Sequence, residues 1–367
     1  MSLNTELYRV AGYSLREMNN LQCFLAFYED IHWITLNHET GIYELTLDNQ
    51  IFSTFRACPA HFIELYVRGL TLKGTGGRSW YLEFGILFHK MIELYYKTFR
   101  TPGFILQEWA VNTGIEEWNK QNLDFFSDHK EYKLIGGRMG FIGLLIAYAE
   151  RFSAENERIR VIGTEISFGK AHEVSLGFGK ANNTRYLEVF LSGRMDLLVD
   201  DGNSIAPMDH KTMASFRNDP TLKFELDEGP CGYIYAVNQI LPTFLKEHNL
   251  EHLINRSCNK IIMNFISKSI PKEGERFKRI PILKSTEQLE SYRLRMLDTA
   301  EDIFKCLVRY VDNGIVYRNT SACTNWYMHD CTYLPIHRQN SKANELIMID
   351  AMYEKKTIWN TENVGGE

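Results

Sequence analysis

Apolar residues recur with a helical period over residues 52–70 and, more regularly, over residues 80–100 (WYLEFGILFHKMIELYYKTFR). A third helical stretch covers residues 137–156. The period then changes. Residues 160–168, 186–192, 194–200 and 204–209 are short, β-prone and separated by Gly, Asn and Asp, which predicts strands. Helical character returns over residues 232–248, apolar strands follow at 260–267 and 279–283, and a long helix runs from Ser285 to about Asn313. Ser285 followed by Gln288 three residues on has the form of a capping box. The first 55 residues carry a weaker pattern that suggests a helix and a hairpin. This order is a mixed α/β layout, and with no repeat, low-complexity tract or long linker it points to one compact domain with elaborations.

Composition narrows the reading. The chain has 367 residues, 44% of them hydrophobic, enough for a substantial core without staples. Seven cysteines at irregular spacings do not form a secreted disulfide framework, and the longest apolar run, MGFIGLLIAYA, falls short of the roughly 20 residues of a membrane span. The start of the chain lacks a basic segment followed by an apolar one, so the expectation is a cytoplasmic protein with no membrane partner. A net charge of -5 gives no overall attraction to polyanions, so any nucleic-acid contact must be local. The candidate patch is residues 267–284, where six Lys/Arg, Lys278 and Arg279 among them, face two Glu; the competing reading is a solvated hairpin.

The chemistry concentrates in SGRMDLLVDDGNSIAPMDHKT, two strands joined by the turn Asp200-Asp201-Gly202-Asn203. Asp196 lies early on the first strand, and Asp209 and Lys211 end the second, so antiparallel pairing brings two carboxylates together. Asp209 and Lys211, two apart on a strand, share a face. Two buried carboxylates need a counter-ion, and a hard cation such as Mg²⁺ or Mn²⁺ suits them. The bland alternative is a surface ion pair beside a hairpin. Asp128-His129-Lys130 repeats the tripeptide Asp209-His210-Lys211 but sits in a polar stretch with no acidic partner strand.

From about Phe52 to His337 the order of features resembles the RecB-like branch of the PD-(D/E)XK nucleases, which includes AddAB-type and CRISPR-adaptation exonucleases. Gly85-x-x-x-His89 looks like that branch's metal-binding helix, Glu165 like the glutamate of its first sheet strand, and Gly193-x-x-Asp196 and Asp209-x-Lys211 like its two core motifs. Its downstream Gln-x-x-x-Tyr is matched only by Tyr233, Gly229 standing where the glutamine would be. The resemblance implies a restriction-endonuclease-like mixed sheet flanked by helices, with residues 1–50 as an N-terminal elaboration, 51–340 as the nuclease domain and 341–367 as a tail.

It further implies catalysis by Asp196, Asp209 and Lys211 with Glu165 in support. Metal would be held by His89, Asp196, Asp209 and the His210 carbonyl, and Tyr233 would touch phosphate. On its own, a histidine between Phe88 and Lys90 on a helix is more often a core or boundary residue, and a strand glutamate is often one half of an ion pair. The activity expected is a metal-dependent DNA exonuclease or end-processing nuclease acting by a two-metal-type mechanism in recombination, repair or phage DNA metabolism. The alternative is a catalytically weak or inactive DNA-binding accessory subunit. No Gly-x-x-x-x-Gly-Lys-[Ser/Thr] loop is present, so unwinding would need a helicase or recombination protein as partner.

Many nucleases of this branch staple the tail to an early helix with a 4Fe-4S cluster. Cys58, Cys323 and Cys331 resemble three of those ligands, and His337 stands where the last cysteine would be. Three Cys and one His can hold a cluster or a tetrahedral Zn²⁺; equally, these thiols can be small apolar residues that bind nothing. Cys23, Cys231, Cys258 and Cys306 have no ligand spacing and read as core residues.

Overall fold

The computed structural model describes residues 12–28, 31–74, 79–169, 172–181, 184–214, 216, 221–268, 275–323 and 330–356. The chain divides into two compact units, each built from discontinuous segments: Met1–Gly76, Ser167–Gly193 and Glu290–Glu367 in the first, Gly77–Ile166 and Arg194–Leu289 in the second. In chain order the described strands are β1 (Ile34–Leu36), β2 (Tyr43–Leu47), β3 (Leu70–Leu72), β4 (Arg160–Phe168), β5 (Ser175–Ala181), β6 (Thr184–Leu191), β7 (Gly193–Asp200), β8 (Ile205–Met213), β9 (Lys260–Ser267), β10 (Phe277–Leu283) and β11 (Tyr353–Lys355).

In the first unit a four-stranded sheet has the order β1-β2-β6-β5, with β2 and β6 parallel and the outer pairs antiparallel. The helix Leu15–Phe27 opens with a reciprocal capping box between Ser14 and Glu17, which satisfies two donors at its N-terminus. A second small pairing, β3 with β11, ties the end of the described chain to the segment after the early helices.

The second unit carries a five-stranded sheet of order β10-β9-β8-β7-β4. β7 and β8 are antiparallel, with Leu197 opposite Met208, and their turn is locked by side chains: Asp200 accepts from the Gly202 amide, and Asp201 from those of Asn203 and Ser204. β8 runs parallel to β9, and β9 antiparallel to β10. Leu197, Val199, Ala206, Met208, Ile262 and Ile266 supply the sheet's share of a core that the helices Trp80–Thr98 and Gly137–Arg158 complete with Phe84, Phe88, Phe141 and Tyr148. The helix Gly229–Glu247 packs against β8 and β9. The capping box at Ser285 forms as the sequence suggests, Gln288 and Ser285 each accepting from the other's amide at 2.9 and 3.2 Å. No described helix is long and apolar enough to cross a membrane.

Candidate active site

Alternation on β8 sends Asp209 and Lys211 to one side of the sheet and His210 to the other. Asp209 is 4% exposed. The Lys211 ammonium lies 2.9 Å from its Oδ1 and 2.8 Å from its Oδ2, yet Oδ2 accepts no well-aligned hydrogen bond. Asp196, on the neighbouring β7, reaches across the pair: its Oδ2 accepts from the His210 amide at 2.7 Å, and its Oδ1 lies 3.2 Å from His89 Nδ1. The helix Trp80–Thr98 delivers that imidazole because Phe84, Leu87, Phe88 and Met91 bury the helix, which leaves His89 at the edge of its packed face.

The electrostatics follow from burial and neighbours. Burial alone would raise Asp196, but His89 and the His210 amide hold its carboxyl below the usual range. The reverse holds at Asp209, where burial, aided by the Asp196 charge, outweighs Lys211 and raises the carboxyl. Burial opposes the charge on both His89 and Lys211, and their carboxylate partners overcome it, so both are raised. This Lys211 is a firmly held ammonium rather than one depressed by its surroundings.

Glu165 sits on β4 with φ +50, a conformation a non-glycine residue rarely adopts in a strand. Its carboxylate accepts from Arg194 Nε at 2.8 Å, so the ion pair open to a strand glutamate is formed. Burial raises it despite Arg194, and the Asp196 charge adds to the rise. Backbone strain of this kind gathers at functional sites. Glu93, one turn beyond His89, also adds its charge at Glu165; it pairs with Lys90 at 3.0 Å and Lys97 at 2.5 Å.

The donor set suits a hard divalent cation. Two adjacent ligands on an octahedral Mg²⁺ stand about 3 Å apart, and the His89–Asp196 contact is 3.2 Å. The uncapped, buried Oδ2 of Asp209 is a further donor. Among the described residues no three His, Cys, Asp or Glu groups are grouped closely enough to hold a metal ion as they stand, and Asp209 is paired with Lys211. Asp128, by contrast, is fully exposed and pairs with Lys133 at 3.4 Å, away from any acidic strand.

The expected DNA contacts divide. Lys278 is half-buried on β10, its Nζ 5.7 Å from the Phe216 ring centre. Tyr233 is half-buried in the second turn of the helix Gly229–Glu247. Arg279 corrects the expectation, because its side chain is 8% exposed and points inward. It donates to Asn156, Tyr96, Tyr148 and Glu155, with its guanidinium 3.8 Å from the Phe152 ring centre, so it is committed before any phosphate arrives. Residues 269–274 of the basic segment lie outside the described residues.

In the first unit the tail docks on the early helices. Asn319 donates to the Ala57 carbonyl at 2.8 Å, the Ala60 amide to the Tyr317 carbonyl at 3.1 Å, and Tyr333 to the Leu70 carbonyl at 2.6 Å. The imidazole beside Cys331 is that of His61, whose Nδ1 lies 3.6 Å from Sγ, close to the spacing of two ligands on tetrahedral zinc. His337 instead faces Glu64, Nε2 to Oε1 3.7 Å, and among the described residues that Nε2 has no hydrogen-bond partner. Cys231 and Cys258 are buried as expected, whereas Cys23 is exposed and Cys306 half-buried. Sequence reading passed over His61 although Cys58-x-x-His61 is a recognisable ligand spacing.

No curated protein matches the chain. One solved structure, described as the crystal structure of SSO0001, is 13% identical over 60% of this chain and 85% of that chain, with a TM-score of 0.24. The family model of the PD-(D/E)XK nuclease superfamily matches residues 50–333, a span that holds the mixed sheet and all of Asp196, Asp209, Lys211 and His89. On that match the chain belongs to the PD-(D/E)XK nuclease superfamily, whose members are metal-dependent nucleases.

Proposed function

We propose that the protein is a metal-dependent DNA exonuclease or end-processing nuclease of the RecB-like branch, with Asp196, Asp209 and Lys211 as its catalytic residues. The observation that carries this reading is a set of two close pairs, His89–Asp196 at 3.2 Å and Lys211–Asp209 at 2.8 Å, on the helix Trp80–Thr98 and the adjacent strands β7 and β8, near enough for the charge of each pair to act on the other. His89, Asp196, Asp209 and the His210 carbonyl would hold the cation. When bound, Mg²⁺ or Mn²⁺ supplies the Lewis acidity and charge neutralisation that phosphodiester hydrolysis needs.

The protein's own part is positioning. Lys211 would donate to the attacking water or to the phosphoryl oxygens on which charge builds. Glu165, tied to Arg194, keeps a second carboxylate near Asp196 and can orient water there. Tyr233 and Lys278 would meet the DNA backbone. Any unwinding would fall to a helicase or recombination partner.

End-labelled single- and double-stranded DNA should be degraded from its ends with Mg²⁺ or Mn²⁺ and left whole in EDTA, while covalently closed circles survive. Cleavage that persists in EDTA, or circles nicked as fast as linear DNA is trimmed, would overturn this reading. Gly229 in place of the family's glutamine favours the second reading, a weak or inactive DNA-binding subunit. That reading expects binding without cleavage under every metal condition.

The tail fastener is a separate proposal. Cys58, Cys323 and Cys331, with His61 or His337, would hold a Zn²⁺ or 4Fe-4S group that clips the tail to the early helix, supported by the Cys331–His61 spacing. Burial pushes the Cys331 thiol up, and the neighbouring Cys323 and Cys58 thiols add to the rise, an arrangement that metal binding would relieve. Anaerobically purified protein should contain zinc, or iron with sulfide, and Cys323→Ser should lose it and expose the tail to protease. Metal-free protein with an unchanged protease pattern would leave packing and hydrogen bonds as the only fasteners.

A further inference from the structure

We infer that Asn264 is a positioning residue of this nuclease site: with Tyr148 and Arg279 behind it, it holds the His210 ring and so fixes the part of β8 that carries Asp209 and Lys211. The inference rests on the catalytic reading above.

Asn264 is wholly buried on β9, flanked by the apolar run Ile261-Ile262-Met263 and Phe265-Ile266, and in the parallel register it stands beside His210. A buried amide in such a strand costs stability unless it is paired. Its Nδ2 lies 2.8 Å from His210 Nδ1 and 2.5 Å from the Tyr148 hydroxyl. Tyr148 in turn meets the Tyr96 hydroxyl at 3.2 Å and accepts from Arg279 Nη2 at 3.3 Å. Arg279 closes the set by donating to Tyr96 and Asn156, each at 3.1 Å. This buried polar chain leads from β10, through the helices Trp80–Thr98 and Gly137–Arg158, to the central strands.

At its inner end the His210 ring lies nearly parallel to Tyr96, at 18°, and edge-on to His89, with centres 6.0 Å apart. The ring is therefore fixed in direction as well as in depth. Because side chains alternate on β8, anchoring that ring restrains the stretch of backbone that carries Asp209 and Lys211 on its other side. The amide of the same residue holds Asp196 at 2.7 Å. A leucine at 264 would suit the apolar strand but would strip the buried His210 Nδ1 of this contact, and among the described residues Asn264 Oδ1 has no hydrogen-bond partner. Packing alone therefore does not account for an amide at this position; a directional contact to His210 does.

The test compares full-length wild type with Asn264→Leu and the milder Tyr148→Phe. Supports behind metal ligands change metal affinity or activity by about 10- to 100-fold. Asn264→Leu should lower kcat and Mn²⁺ affinity by about that range, leave KM for DNA unchanged, and speed hydrogen exchange at the His210 amide. Tyr148→Phe should shift the same quantities the same way by less.

Unchanged Mn²⁺ affinity and amide exchange in Asn264→Leu would overturn the inference. So would losses that track melting temperature in both variants. If Asn264→Leu does not fold, Tyr148→Phe decides by the same criteria. Mn²⁺ titration and amide exchange need no DNA, so a wild type that binds Mn²⁺ but cuts nothing would count against the nuclease reading while leaving this inference to be judged on those two measurements.

Discussion

Asp209→Asn should remove Mg²⁺- or Mn²⁺-supported DNA cleavage by on the order of 10³-fold, with a melting temperature equal to or above that of wild type. The two effects part because burial disfavours the charge that the proposed chemistry needs on this carboxylate. It is buried, sits close enough to Asp196 for that charge to raise its pKa, and has one oxygen with no aligned donor. Asparagine keeps its shape and sheds the buried charge. Lys211 then loses its partner, but its side chain is 42% exposed and can turn to water, so little is lost there.

Lys211→Met should be as inactive, and because it strips the buried Asp209 carboxylate of its ammonium partner it should also melt below wild type. A melting temperature that falls in step with activity in both variants would assign the pair a structural role. Activity within tenfold of wild type in Asp209→Asn would remove Asp209 from the reaction.

The acidic hairpin was legible in sequence because three independent local signals agree there. Alternation gave the strands, Asp and Gly gave the turn, and antiparallel pairing fixed which carboxylates meet. The repeated tripeptide at Asp128 was separable for the same reason, since it has no partner strand. Elements that do not advertise themselves locally escaped. β5 contains Gly177 and Gly179, the first at φ +125, and a glycine-rich segment carries little β-propensity until β6 pairs with it. The helix Leu106–Lys120 buries only Ala110, Gly114 and Trp118, an i, i+4, i+8 line too sparse to register as an apolar stripe.

Arg279 shows a different limit. Charge counted along a segment says nothing about which side of a strand it points to, and tyrosine hydroxyls remote in sequence drew this arginine inward. Asn264 was invisible for the same reason: this single polar residue gains its meaning from His210, more than 50 residues away along the chain.

Gly140→Ala should be the most damaging substitution of a single small residue in the second unit. The helix Lys130–Ile135 ends at Gly136 and Gly137, with φ of +84 and +58, which fold the chain sharply into the helix Gly137–Arg158. That turn lays the Ile135 carbonyl over Gly140, where a Cβ would lie 1.6 Å from the oxygen and 2.6 Å from its carbon. A side chain could swing away; this is backbone inside a locked turn, so the helix itself must shift, at a cost of about 3 kcal/mol or more. The same helix carries Tyr148, Glu155 and Asn156, so cleavage should fall together with stability. Gly143→Ala is the matched control, three residues on and exposed, with nothing within 4 Å of the added carbon. It should stabilise the helix by about 0.5–1 kcal/mol and leave cleavage alone. Calorimetric melting of the two variants beside wild type decides the matter: Gly140→Ala melting with wild type would mean that the turn over Gly140 is looser than this contact requires, whereas opposite shifts in the two alanines would place the constraint at the turn and not in the helix as a whole.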